Sequence, residues 1–531
     1  MRGARVWTDG AVRAGVDSLA VGGGRILGVG REPELSPFMG PATRTLDAGG
    51  ATVTPGFVDA HLHLVQWARA LAELPLTGCA SAAEAAQRVA RFAAEHPGEG
   101  PIVGRGWDAN GWASPPERGV LDRACPTRPV LLHSRDFHAL WVNGAALTAC
   151  GIGRATVDPD GGRIVRDAAG APTGVLMENA VRACAPLLAA VEAGDAAAVV
   201  AALPRLHARG VTGVHDFEGP GAQRVLRDVC SRGGTRLRVL MHLAHGGLDA
   251  AIELGLASGI GDDTFRIGAV KLFADGTLGS RTAAMLAPYE GATETGMELI
   301  PAGELRAIVA RAAGAGLSVA IHAIGDRAVR SSLDAFEAAR GPIAGLALPP
   351  RIEHLQLVDP ADLPRFARLG VVASMQPSHA ISDAALADLH WGARVAHAYP
   401  WRELLDHRAV LAFGSDAPVE PPDTAEGLRA AVTREVAGRA RPFTPHQRLT
   451  LDEALSAYTE APARLAGSWP RTGSLRPGAV ADVVVWSGDL HRLPASRLGE
   501  AAPAATLVDG RVAWSAAAEP RGAAAVAQGA R

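Results

Sequence analysis

Lysine is almost missing from this chain. Of its 52 basic residues all but Lys271 are arginine. The one lysine therefore stands where arginine cannot serve: an amine can lose its proton on burial and act as a nucleophile, and a delocalised guanidinium cannot. Its setting, Ile267-Gly268-Ala269-Val270 before it and Leu272-Phe273 after it, is that of a buried strand. Cysteine is scarce as well, five in 531 residues, an odd number with no Cys-x-x-Cys spacing. That excludes a disulfide framework and reads as reduced, mostly structural thiols. No stretch approaches eighteen consecutive apolar residues, and the first residues lack an unbroken apolar segment, so neither a membrane span nor a signal peptide is expected and the cytoplasm is. Charge of one sign is missing too: the formal net charge is −3 and no arginine-rich block stands out. Nucleic acid and anionic membrane are thereby disfavoured as partners, a small-molecule substrate is favoured, and a homo-oligomer remains open.

What is present, 48% hydrophobic and 20% charged residues, suits a soluble protein with a sizeable core. Its chemistry begins at Pro55-Gly56-Phe57-Val58-Asp59-Ala60-His61-Leu62-His63. Side chains two apart on a strand share a face, so His61 and His63 point the same way and can start a metal site. Alone, the pair also suits two polar residues at a strand end. Seven further apolar runs of strand length follow, separated by Ala-rich helical stretches: Val211–Asp216, Leu237–His242, Ile267–Phe273, Leu317–His322, Pro350–His354, Val371–Met375 and Ala409–Asp416. Eight strands alternating with helices predict an α/β fold, a (β/α)8 TIM barrel, with its site at the C-terminal ends of the strands.

Strands one and two are separated by far more chain than a crossover needs. Residues 55–64 and 201–467 are expected to form the barrel, and 65–200 an inserted subdomain over its mouth. Within the insertion Trp107, Asp136 and His138 are candidates to line a pocket, although its tryptophans suit a local core equally well. The two chain ends, 1–54 and 468–531, read as short strands and tight turns sharing one small β-sandwich, with 516–531 a loose tail.

Six strand-end residues can converge: His61, His63, Lys271, His322, His354 and Asp416. Four imidazoles, a carboxylate and a lysine suit one or two divalent ions of the zinc type. Singly, His322 also suits a hydrogen-bonded core, and His354 and Asp416 also suit helix caps. Five strand ends carrying ligand types favour the metal reading.

The stretches Pro55–His63, Val270–Thr282, His322–Asp326, Arg351–Gln356, Met375–His379, Tyr399–Arg402 and Gly414–Pro418 resemble the amidohydrolase superfamily of metal-dependent hydrolases, in the branch that contains N-substituted formamide deformylases. The resemblance implies that Lys271 is carbamylated and bridges two metals, since carbon dioxide adds to a neutral amine to make a carboxylate. It implies a C–N bond hydrolase, of amide or N-formyl type, in which metal binding supplies hydroxide at neutral pH. Asp416 then takes the proton and returns it to the departing nitrogen. His354 and His379 would face the developing oxyanion, and Asp275 and Arg281 would fix a polar substrate group. The alternatives are a deaminase or cyclic amidohydrolase of the same superfamily, and a barrel that binds without turnover.

Overall fold

Short, mostly apolar runs flanked by glycine and polar residues favour parallel strands here, because strands buried on both faces read as near-continuous apolar runs. The computed structural model describes residues 1–109, 112–134, 139–160, 162–192, 194–232 and 236–517. It contains eight such strands in one parallel sheet, ordered as in the sequence: β1 (Phe57–Leu62), β2 (Val211–Asp216), β3 (Arg238–Ala244), β4 (Phe265–Phe273), β5 (Val319–Ala323), β6 (Arg351–His354), β7 (Val372–Met375) and β8 (Leu411–Phe413). Every neighbouring pair is parallel, with Lys271 opposite Ala320 and Ala323 opposite His354 in register. The (β/α)8 architecture expected from the alternating pattern is the one observed.

The last strand is shorter than its apolar run because the chain turns at Gly414 to meet β1. The Asp416 N–H donates to His61 O at 2.7 Å, and the His63 N–H donates to Ala417 O at 2.8 Å. Glycine is required at this seam: a Cβ on Gly414 would lie 2.4 Å from His61 N and 2.8 Å from Asp59 Oδ1. The seam therefore joins the two strand ends that carry the first histidine pair and the last carboxylate.

Outside the barrel the helices bury one stripe each. Asp326–Ala338, after β5, buries Ala328, Val329, Ser332, Leu333, Ala335 and Phe336, a spacing that follows the helical repeat. The chain ends build a six-stranded sheet in which Thr52–Pro55 lies between Arg5–Thr8 and Val483–Trp486, and a hairpin, Ser18–Gly22 with Arg25–Gly30. Leu19 and Ile26 of the hairpin share a core with Val6, Val53, Val483 and Leu507 of the sheet. Phe57 at the start of β1 stacks on Tyr458 at 5.5 Å and leans on Trp486 at 5.4 Å.

Contacts divide the chain into two compact units, residues 1–64 with 202–531, and residues 65–201. The second unit has its own six-stranded sheet and a helix, Ala82–Glu95, whose N-terminus is capped by Ser81 accepting from the Glu84 N–H. Among the described residues no helix is long and apolar enough to cross a membrane.

Candidate metal and active site

The strand ends bring the histidines together from opposite sides of the barrel. His61 Nε2 is 3.5 Å and His63 Nε2 3.3 Å from Asp416 Oδ1, while His379 Nε2 is 3.7 Å from Asp416 Oδ2. The His354 ring lies 4.9 Å from that of His61 and 4.6 Å from that of His322. Two sets of three donors result, His61 with His63 and Asp416, and His354 with His379 and Asp416; within each set the donor atoms all lie within 4.8 Å of one another. Imidazole nitrogen and carboxylate oxygen at that spacing, all from buried or half-buried groups, fit a borderline divalent ion. His379 Nε2 is buried with no hydrogen-bond partner, as a donor aimed at a ligand would be.

Lys271 is 4% exposed. Its Nζ stands over the rings of Phe217 and Phe273 at 4.7 and 4.9 Å. Burial lowers its pKa to about 8, with Glu353 and Asp416 pulling the other way. Burial also lowers His61 to about 4 and His322 to about 3, in both cases reinforced by the charge of Lys271. Burial alone would raise the Asp416 carboxyl, yet the hydrogen bond with His63 and the neighbouring imidazoles hold it well below the usual carboxylate range. Burial thus keeps His61, His322 and His354 neutral beside an ionised Asp416, the protonation state a cation needs.

A layer of buried polar groups lies beneath. His61 Nδ1 is 2.7 Å from Glu353 Oε2, and Glu353 is gripped by Arg351 through Nε to Oε1 at 2.5 Å and Nη2 to Oε2 at 3.0 Å. His354 Nδ1 lies 2.9 Å from Gln376 Oε1. Asp59 accepts from Ser415 N–H and Oγ–H at 2.9 and 2.6 Å. Phe217 is stacked between His61 and His242, its ring 4.0 Å from each. The sequence reading missed Glu353, Arg351, Gln376 and Phe217. The signal for the first two is an alternating pair of opposite charges, Arg351-x-Glu353, in a four-residue strand buried along its whole length.

The expected substrate contacts fare differently. Asp275 accepts the N–H groups of Ala284, Ile324 and Gly325 at 2.9, 3.0 and 2.8 Å, and is 1% exposed. It organises the loops after β4 and β5 rather than facing a substrate, and its Oδ1 also stands 3.6 Å from His322 Nε2, itself 2.9 Å from Gly276 O. Arg281 is exposed at a left-handed turn, φ +55°. Trp107 is buried in the second unit, donating its Nε1–H to Leu132 O at 2.7 Å and packing against Trp112 and Trp141. It belongs to a local apolar core. Asp136 and His138 lie outside the described residues.

Comparison with known proteins places these observations. The profile of a family described as amidohydrolase family matches residues 44–513. The Bacillus subtilis (strain 168) protein YtcJ is 32% identical over 516 residues, 94% of this chain and 96% of its own. The N-substituted formamide deformylase of Arthrobacter pascens is 30% identical over 532 aligned positions, 96% of each chain. The crystal structure of an uncharacterized metal-dependent hydrolase from Pyrococcus furiosus superposes with a TM-score of 0.75 at 29% identity, covering 91% of this chain and 97% of that one.

Proposed function

Since this chain belongs to the amidohydrolase family, we propose that it hydrolyses a C–N bond of a small molecule, of amide or N-formyl type, with the aid of one or two divalent ions. The observation that supports this most directly is the pair of three-donor sets sharing Asp416. His61, His63, His354 and Asp416 would hold the metal, joined by His322 and by Lys271 as its carbamate. Zinc is the ion that this donor set suits. Such an ion, when bound, lowers the pKa of water and polarises a carbonyl.

The chain's own groups then divide the proton work. Asp416 is ionised at neutral pH and receives the proton as water attacks. It returns that proton to the departing nitrogen, acting first as base and then as acid. His354 is oriented through Nδ1 by Gln376, which leaves Nε2 for the reaction side. His379, with its unpartnered Nε2 beside Asp416, would donate to the substrate carbonyl when a single ion fills the His61, His63 and Asp416 set, and would complete the second set when two ions bind. The similarity to a formamide deformylase supports an N-formyl or related N-acyl amine as the substrate class.

The test is turnover on a panel of N-formyl and N-acyl amines with formate, carboxylate and ammonia measured separately, alongside metal content, for wild type and Asp416→Asn. The asparagine keeps the shape but cannot accept a proton, so turnover should drop on the order of 10² to 10⁴ while metal content drops less. Release of ammonia without formate or carboxylate would move the assignment to deamination. Near-wild-type turnover in the variant would remove Asp416 from proton transfer.

A further inference from the structure

We infer that Glu353 is a positioning residue for His61: held in place by Arg351, it fixes the hydrogen of the imidazole on Nδ1 and so turns the Nε2 lone pair toward Asp416. The inference rests on the reading of that cluster as a metal site.

Arg351 and Glu353 are two apart on β6, so both point into the barrel. Arg351 has donors only. It directs Nε to Glu353 Oε1 and Nη1 to His215 Nδ1 at 3.0 Å, and the two hydrogens of Nη2 are shared among Ser374 Oγ at 2.7 Å, Ala60 O at 2.7 Å and Glu353 Oε2 at 3.0 Å. One guanidinium thus ties strands β1, β2, β6 and β7 together and leaves Glu353 no freedom to rotate. A carboxylate paired with a guanidinium is an acceptor only. The 2.7 Å contact to His61 Nδ1 therefore requires the ring to donate there.

With Nδ1 protonated and the ring neutral, Nε2 carries the lone pair, and Nε2 is the atom facing Asp416. The ring plane is fixed independently by its stacking on Phe217 at 4.0 Å and 13°. Two positions remain for a ring so clamped, related by a half-turn, and Glu353 decides between them. Free histidine favours the opposite tautomer, with hydrogen on Nε2, so the selection must come from the protein. Glu353 and Arg351 are 0% and 1% exposed, so no water competes for the contact.

Two measurements on the full chain test this. The first is zinc affinity, by competition with a chromophoric chelator, of wild type and Glu353→Gln after metal removal. An amide has one acceptor oxygen, so glutamine must present its NH₂ either to Arg351 or to His61. The expected loss in affinity is about 10- to 100-fold, the usual effect of removing a partner behind a metal-binding histidine. The second is ¹⁵N-histidine NMR of metal-free wild type, with the His61 signal identified as the one missing from His61→Asn. It should show hydrogen on Nδ1 and a bare Nε2, which a merely structural carboxylate would not enforce. Equal affinities in a folded Glu353→Gln protein, or hydrogen on Nε2 of His61, overturns the inference. Should wild type bind no zinc, the metal reading is the one that fails, and the NMR result still decides the role of Glu353. Should Glu353→Gln not fold, the wild-type tautomer decides it alone.

Discussion

Replacing Lys271 by methionine should stabilise the metal-free protein while abolishing its activity. Burial depresses the ammonium pKa from 10.5 to about 8. A gap of that size corresponds to about 3 kcal/mol of unfavourable free energy for keeping the folded-state amine charged. Below pH 8 both folded and unfolded chains are protonated and the full cost is present. Between pH 8 and 10.5 the unfolded chain binds more protons than the folded one, so stability rises with pH and the cost disappears by the upper limit. Methionine carries no charge and would set its thioether where Nζ stands, over the rings of Phe217 and Phe273. At pH 7 its unfolding free energy should exceed that of wild type by up to about 3 kcal/mol, and the two should converge above pH 10. Urea unfolding of chelator-treated protein across this range is the assay. Because the chain has a single lysine, protein labelled with [ε-¹³C]lysine gives one side-chain resonance, and its titration midpoint should fall near 8. A midpoint at 10 or above, or a wild-type stability flat between pH 8 and 10, would refute the reasoning.

Gly414→Ala forces a Cβ to 2.4 Å from His61 N; it should part the β8–β1 seam, with at least about a tenfold loss of turnover and a cost of roughly 1–3 kcal/mol, and an alanine variant of wild-type activity would remove the seam from the argument. Arg434 is fully buried, donates to Phe443 O at 3.0 Å and to Ala398 O at 3.3 Å, and lies 4.1 Å over Trp401. Arg434→Met should therefore lower the unfolding free energy by about 3 kcal/mol or more as those carbonyls lose their donor, and a loss under about 1 kcal/mol in urea unfolding contradicts this. Cys150 Sγ lies 3.1 Å from Cys184 Sγ. Diamide should take one hydrogen from each thiol to give a single intrachain disulfide, visible by peptide mass mapping, and pairing elsewhere would show that the contact does not persist.

How much of this was readable beforehand depends on whether a residue's role is set by its own strand or by another. The barrel was legible because each strand is a local apolar run and each carries its polar residue at the same end. His61, His63, His322, His354 and Asp416 could be named from that rule, and Lys271 from its being the only lysine. Asp275 could not be placed, because a carboxylate after a strand looks the same in sequence whether it faces a ligand or accepts three backbone N–H groups from two loops. Trp107 looked like a pocket wall because glycines and polar residues surround it; Trp141, which packs on it, and the Leu132 carbonyl come from other segments. Glu353 is masked by its neighbour: His354 carries the ligand-type signal at the strand end, while Arg351 and Glu353 stand before it on the same strand. A buried, alternating charge pair needs a partner across the barrel, and that requirement was the available clue.

The end sheet has a consequence for synthesis. Thr52–Pro55 hydrogen-bonds Arg5–Thr8 on one side, which is available at once, and Val483–Trp486 on the other, with Val53 opposite Val485. At about 5–20 residues per second a ribosome takes roughly 20 to 90 seconds to make the intervening chain. Throughout that time the strand leading directly into β1 keeps one edge open, a template for pairing with any other nascent strand. A transcript truncated before the codon for residue 483 leaves that edge without its partner for good, so loss of the last tenth of the chain should yield aggregation rather than a smaller working barrel.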